Sequence, residues 1–132
     1  MKGYTANIEK LTDANKNFRV VLYTAKHCQL VVMSLLPNEE IGMETHKEND
    51  QFFRVESGVG KVIIDGITHD VSDGFAIIVP AGATHNVINA SDTKPLKLYT
   101  VYSPAHHMDA VVHRTKDEAL ADDEAFDGVT TE

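Results

Sequence analysis

Residues 74–89 read GFAIIVPAGATHNVIN and have a plain chemical logic. Gly74 ends one turn, a β-type run follows, Pro80 and Gly82 shape a tight corner, and His85 opens the next run. A histidine fixed directly after a rigid turn loses little conformational entropy on binding a metal ion, whereas a loop histidine must first be ordered. Tyr102, at the end of a later run, is a candidate proton donor if its hydroxyl reaches the same cavity. Cys28 is the only cysteine, so neither an internal disulfide nor a thiolate cluster can form within this chain. It lies in the strand-like run KHCQLVV with no base nearby in sequence, and is expected to be a buried, unreactive thiol.

The elements that must hold these residues are short β-branched and aromatic runs cut by turn residues, an all-β pattern. Strands are expected over 18–24, 29–35, 40–46, 51–56, 61–64, 67–69, 75–79, 85–89 and 96–102. Asp65-Gly66 is a two-residue hairpin signal, and Ser72-Asp73-Gly74 and Pro80-Ala81-Gly82 mark further turns. So many strands with so few intervening residues favour a sandwich or closed barrel, in which strand edges are hidden. Three parts follow: an N-terminal arm, 1–17, with one helical turn; the β domain, 18–103; and a closing part, 104–132, which in a barrel is expected to cross the mouth. In that last part Thr115 and Glu118 form a capping box opening a short helix to about residue 126, and the final residues should fray. His106, His107 and His113 follow the last strand, where one of them can face the pocket, and His113 is taken as a second proton-handling candidate. His27 and His69 are expected at the exposed edge, and Phe53 and Tyr99 as core or wall.

Every fixed position of G(X)5PXG(X)2H(X)3N is present in residues 74–89, and in this the chain resembles the cupin superfamily, whose second motif this is. The first cupin motif, G(X)5HXH(X)3-4E(X)6G, resembles residues 44–58 imperfectly. Anchored on Gly58, it places Gln51 at the family's glutamate, His46 at its second histidine and Glu44 at its first, while Asn38 stands where the leading glycine belongs. The resemblance implies a double-stranded β-helix, or jelly-roll barrel, with Glu44, His46, Gln51 and His85 as metal ligands. Glu44 and His46, two apart on a strand, share a face, which suits convergence. The set offers two oxygens and two imidazole nitrogens, compatible with divalent Mn, Fe, Co, Ni or Zn. Glu48 is an alternative ligand in a register that fits the motif less well.

The cupin resemblance further implies a small-molecule ligand, a pocket holding one divalent metal ion, and a homodimer joined through sheet edges or exchanged arms. Cupins include dioxygenases, decarboxylases and isomerases as well as binding proteins, so the fold leaves the reaction open. The first expectation is a metal-dependent enzyme on a small oxygen-rich substrate such as a keto acid, enol or sugar derivative. The alternative is a non-catalytic module that binds a small ligand or the metal itself.

Charge narrows the partners. The 132 residues carry 12 Lys and Arg against 20 Asp and Glu, a net −8, which gives no general attraction for nucleic acid or anionic lipid. Residues 1–116 hold all 12 cations and 13 acids, so the excess belongs to the tail, read as a solvated face. No apolar run approaches the roughly 18 residues needed to span a bilayer, and the start shows no signal-peptide core, so a cytoplasmic protein is expected.

Overall fold

The computed structural model describes residues 1–132. Two antiparallel sheets face each other. The first contains β10 (Val112–His113), β1 (Arg19–Thr24), β2 (Gln29–Leu35), β9 (Leu96–Ser103), β4 (Asp50–Ser57) and β7 (Ala76–Val79), in that order. The second runs β3 (Glu44–Thr45), β8 (Thr84–Asn89), β5 (Val59–Ile64) and β6 (Ile67–Ser72). The chain is thus mostly β, with a short C-terminal helix α2 (Lys116–Ala121) and an N-terminal helix α1 (Ile8–Ala14).

Side-chain alternation drives the closure. In β4, Gln51, Phe53 and Val55 are buried while their neighbours are less so, and in β9 Leu96, Leu98, Thr100 and Tyr102 repeat the period of two. Their inward faces meet Val31, Met33 and Leu35 of β2 and Val62, Val71 and Val87 of the other sheet in one apolar cluster. The cluster fills the middle and one end of the barrel. At the other end the inward positions turn polar: Gln29, Gln51, Tyr102 and His85.

Register brings those residues level. Gln29 and Gln51 both oppose Tyr102 across β2–β9–β4, and Glu44 opposes His85 across β3–β8. Directly opposed residues of an antiparallel pair share a face, so each row turns its side chains to the barrel interior.

The turns act as the sequence anticipates. Asp65 and Gly66 both take positive φ, 46° and 80°, as a tight hairpin turn needs. Gly58 has φ 97°, and a Cβ there would lie 2.6 Å from the Pro95 carbonyl oxygen, so glycine is required twice over. Asn89 closes the last motif position from inside. Its Nδ2 donates to the carbonyls of Leu35, Leu36 and Lys94, and its Oδ1 accepts from the Ser91 amide.

Several expectations need correction. Residues 40–46 do not form one strand: Glu40 makes an isolated bridge to Ile88 and only Glu44–Thr45 pair regularly, because Gly42 interrupts the run with φ 110°. The arm carries seven helical residues rather than one turn, capped by Asn7 accepting from the Lys10 amide. Helix α2 starts at the foreseen cap, where Thr115 accepts from the Glu118 amide, but ends at Ala121 because Asp122 turns extended to reach His113. Cys28 is exposed, lying in the connection just before β2. The C-terminus does not fray: Thr131 bonds Thr24 through both its amide and its hydroxyl, and Glu132 accepts from Tyr23 and from the Lys2 and Gly3 amides.

The acidic tail is therefore more than a solvated face. Asp122 and Glu124 are turned onto His113 and His107, and the segment crosses the barrel end that holds the polar residues. Their sequence neighbours give no sign of this, since the partners lie 9 and 17 residues away.

Candidate metal centre

Glu44, His46 and His85 come together at the polar end of the barrel, each offering one ligand atom within 4.8 Å of the others. Glu44 arrives on β3 opposite His85, the second residue of β8. His46 follows β3 immediately, and its carbonyl accepts from the Gly82 amide at 2.9 Å, which ties it to the turn preceding His85. Asp50 holds the same turn by accepting from the Ala81 amide at 2.9 Å. Thus the Pro80–Gly82 corner positions both histidines.

Electrostatics suits cation binding. Burial raises the Glu44 carboxyl, but the His46 hydrogen bond at 3.1 Å and the charges of His46, Arg19 and His85 outweigh it and hold Glu44 below its ordinary value. Burial pushes His85 down, against a weak opposing hydrogen bond to the Ala83 carbonyl. That contact uses Nδ1 at 3.4 Å and leaves the other ring nitrogen, Nε2, buried with no partner. An imidazole whose Nδ1–H faces a carbonyl presents its Nε2 lone pair, the form a metal requires.

Gln51 is 2% exposed and donates through Nε2 to Thr100 Oγ1 at 3.0 Å. Its carbonyl Oε1 is buried without a partner. Buried acceptors left unpaired are uncommon and cost roughly 1–3 kcal/mol each, and here two of them, on Gln51 and His85, belong to the same candidate ligand set. The donor set and its orphaned atoms fit a divalent cation of the kind that takes mixed oxygen and imidazole ligands. Glu48 is exposed and stands outside the cluster.

Tyr102 borders the centre. Its ring centroid lies 5.8 Å from that of His46 and 5.2 Å from that of His106, on which it stacks. Burial raises its hydroxyl well above the ordinary tyrosine value, so it stays protonated. The hydroxyl lies 3.2 Å from His107 Nε2, whose Nδ1 faces Glu124 at 2.5 Å. His106 sits 4.3 Å from His46, ring to ring, and burial, then His107 and His46, push it down to about 4. His113 is not brought to this group. Its Nδ1 meets Arg19 at 3.2 Å and its Nε2 meets Asp122 at 2.9 Å, so both ring nitrogens are already engaged. His27 and His69 are exposed, Phe53 is core, and Tyr99 packs against Phe52 at 6.2 Å.

Three residues of the site escaped the sequence reading. Gln29, fully buried, donates to Thr24 Oγ1 and the His107 carbonyl and accepts from the His106 and His107 amides, which fastens the histidine pair over the mouth. Arg19 is 7% exposed beside Glu44, and Glu124 orients His107. For Gln29 and Arg19 a signal existed, namely a polar residue at an inward position of an otherwise apolar strand. Glu124 had none.

Residues 31–102 match the family described as Cupin domain, and the chain belongs to it. It is 44% identical to YrkC of Bacillus subtilis over 126 residues, covering 91% of this chain and 67% of that protein. It is likewise 44% identical to L612 of Acanthamoeba polyphaga mimivirus over 108 residues, 79% of this chain and 67% of the other. The crystal structure of BH2720 from Bacillus halodurans superposes with a TM-score of 0.89 at 41% identity, covering 92% of this chain and 96% of that one. No helix is long and apolar enough to cross a membrane.

Proposed function

We propose that this cupin holds one divalent metal ion on Glu44, His46 and His85, with the Gln51 carbonyl oxygen as fourth ligand, and is an enzyme acting on a small oxygen-rich molecule. The supporting observation is the coincidence of a three-ligand cluster within 4.8 Å with two buried, unpartnered acceptors, His85 Nε2 and Gln51 Oε1. When bound, such an ion supplies Lewis acidity toward a substrate oxygen. The chain's own residues then orient the substrate and handle protons. Tyr102 keeps its proton at neutral pH; the Glu124–His107 pair holds that O–H toward His107 Nε2, and turning it from there to a substrate oxygen makes Tyr102 a proton donor. His106 and Gln29 close the mouth above the cluster and limit water entry. The reaction classes in keeping with this are those of dioxygenase, decarboxylase and isomerase cupins.

Elemental analysis of protein purified without chelator tests the site. About one equivalent of Mn, Fe, Co, Ni or Zn is expected, lost in Glu44→Ala, His46→Ala and His85→Ala. Metal-free parent protein, after incubation with each of these ions in turn, would sink the proposal. A second reading, a non-catalytic binding module, draws support from His113, whose engagement with Arg19 and Asp122 leaves few free proton carriers. Stoichiometric metal without oxygen uptake or turnover on keto acids and sugar derivatives would favour it. We also propose a cytoplasmic homodimer, its pairing in keeping with exposed Phe75 just before the edge strand β7 and exposed Ile78 within it. A monomer on sizing in solution would refute the dimer.

A further inference from the structure

A cavity of about 160 Å³ opens beside the cluster and has Glu44 in its wall. Its walls include Arg19 and Ile41 from the barrel, His107 from the mouth segment, Leu120 from α2, and Glu124 from the tail. Arg19 is the unusual group. Its side chain is buried, its Nε has no hydrogen-bond partner, and of its five N–H donors one is engaged, from Nη1 to His113 Nδ1 at 3.2 Å. Its cationic carbon also lies 5.3 Å from the centre of the Phe18 ring.

A buried guanidinium is costly unless a carboxylate or comparable anion meets its fork. The acids around the cavity are taken by other donors: Glu44 by His46, Asp122 by His113, and Glu124 by His107 and the Met108 amide. None of them makes a hydrogen bond to Arg19. With a divalent cation on the cluster, Arg19, Lys116 and the ion together exceed the charge of those three carboxylates, so the cavity is balanced for one further negative charge. Its volume corresponds to roughly five waters at about 30 Å³ each, or a molecule of about six heavy atoms.

We infer that this cavity receives the carboxylate of the substrate, a short organic acid, with Arg19 as the residue that binds it. The inference rests on the proposed metal site and names the substrate class for it. The planar fork of Arg19 grips the carboxylate, and the remainder of the molecule faces Glu44 and the cluster it belongs to.

Calorimetric titration with pyruvate tests it, with hydroxyacetone as the uncharged analogue and inorganic phosphate as the tetrahedral one. The metal-loaded parent should bind pyruvate and discriminate against both. Arg19→Gln should weaken pyruvate binding roughly 10- to 100-fold while metal content stays at the parent level. Arg19→Lys should recover part of the loss, and Leu120→Trp, which fills the cavity from an exposed helix position, should block pyruvate with Arg19 intact. Parent protein that carries metal but ignores pyruvate overturns the inference and leaves the metal site standing. So does tighter binding of phosphate, and so does an Arg19→Gln variant that loses metal instead of pyruvate, since Arg19 would then only serve Glu44. If the parent takes up no metal, the proposed function fails on that measurement. The inference falls with it, because without the ion Arg19 and Lys116 no longer outweigh Glu44, Asp122 and Glu124 and the cavity has no charge to offer a carboxylate.

Discussion

Replacing Gln29 by methionine should loosen the mouth of the barrel more than any apolar core trim of similar size. The side chain is fully buried and makes four hydrogen bonds: Nε2 to Thr24 Oγ1 at 2.9 Å and to the His107 carbonyl at 2.7 Å, Oε1 from the His106 and His107 amides at 3.2 and 2.9 Å. Methionine fills nearly the same volume but replaces none of these bonds. At about 1 kcal/mol net for each bond, and more where the His107 amide and carbonyl are stranded in buried surroundings, the loss comes to roughly 4 kcal/mol. Added apolar burial returns about 1 kcal/mol, leaving about 3 kcal/mol. For a domain of this length 1 kcal/mol shifts Tm by roughly 3–5 °C, so a fall of about 10–15 °C is expected. Thermal denaturation should be followed in chelator, so that altered metal affinity does not enter, together with hydrogen exchange at the His107 amide. A Tm within about 2 °C of the parent, with His107 still protected, would show that the histidine segment is held by something other than Gln29.

Metal itself should stabilise the fold. An ion present at about 100 times its dissociation constant adds about 2.7 kcal/mol, a rise in Tm of about 10 °C, and His85→Ala should abolish that rise in a thermal melt. Gly58→Ala should cost at least about 3 kcal/mol through both the Pro95 contact and the positive φ, read as a lower urea midpoint at unchanged slope; a midpoint equal to the parent's would refute the account. Acid should destabilise the protein in two stages. Burial holds folded His107 below its ordinary value despite Glu124, so the unfolded chain binds more protons there; its contribution is complete above about pH 6.5 and is lost as pH falls toward the folded value. Burial raises the Glu124 carboxyl, but the His107 hydrogen bond and the Met108 amide hold it below its ordinary value. Its contribution is complete above about pH 4.5 and is lost below that. Unfolding free energies measured between about pH 5 and 6.5 should therefore fall with acid in the parent and fall less in His107→Gln; parallel curves would contradict this.

Much of the architecture was legible in local signals. Alternation in 51–56 and 96–102, the Asp65-Gly66 turn and the Pro80–Gly82 corner act over a few residues, and the observed strands and turns follow them closely. The run 40–46 misled because β propensity says nothing of Gly42's positive φ, which breaks the pairing. Of the candidate site residues, Glu44, His46 and His85 were readable because their positions hang on motif spacing, and the structure gathers these three around one point. Sequence lets one of His106, His107 and His113 face the pocket and makes His113 a proton handler only in that position, but β10 pairs it with Arg19, and the tail supplies Asp122 to its other side.

What the amino-acid order determined by itself is the set of strands, the turns between them and the residue types available for chemistry, since these depend on steric and hydrophobic preferences of near neighbours. Which residues share a cavity was decided only by tertiary register. Gln29 meets Tyr102 and Gln51 because β9 lies between β2 and β4, and Glu124 reaches His107 because the tail folds back across the barrel end. Such contacts join groups up to dozens of residues apart, and their energy exists only when the whole barrel has closed, so no local preference announces them.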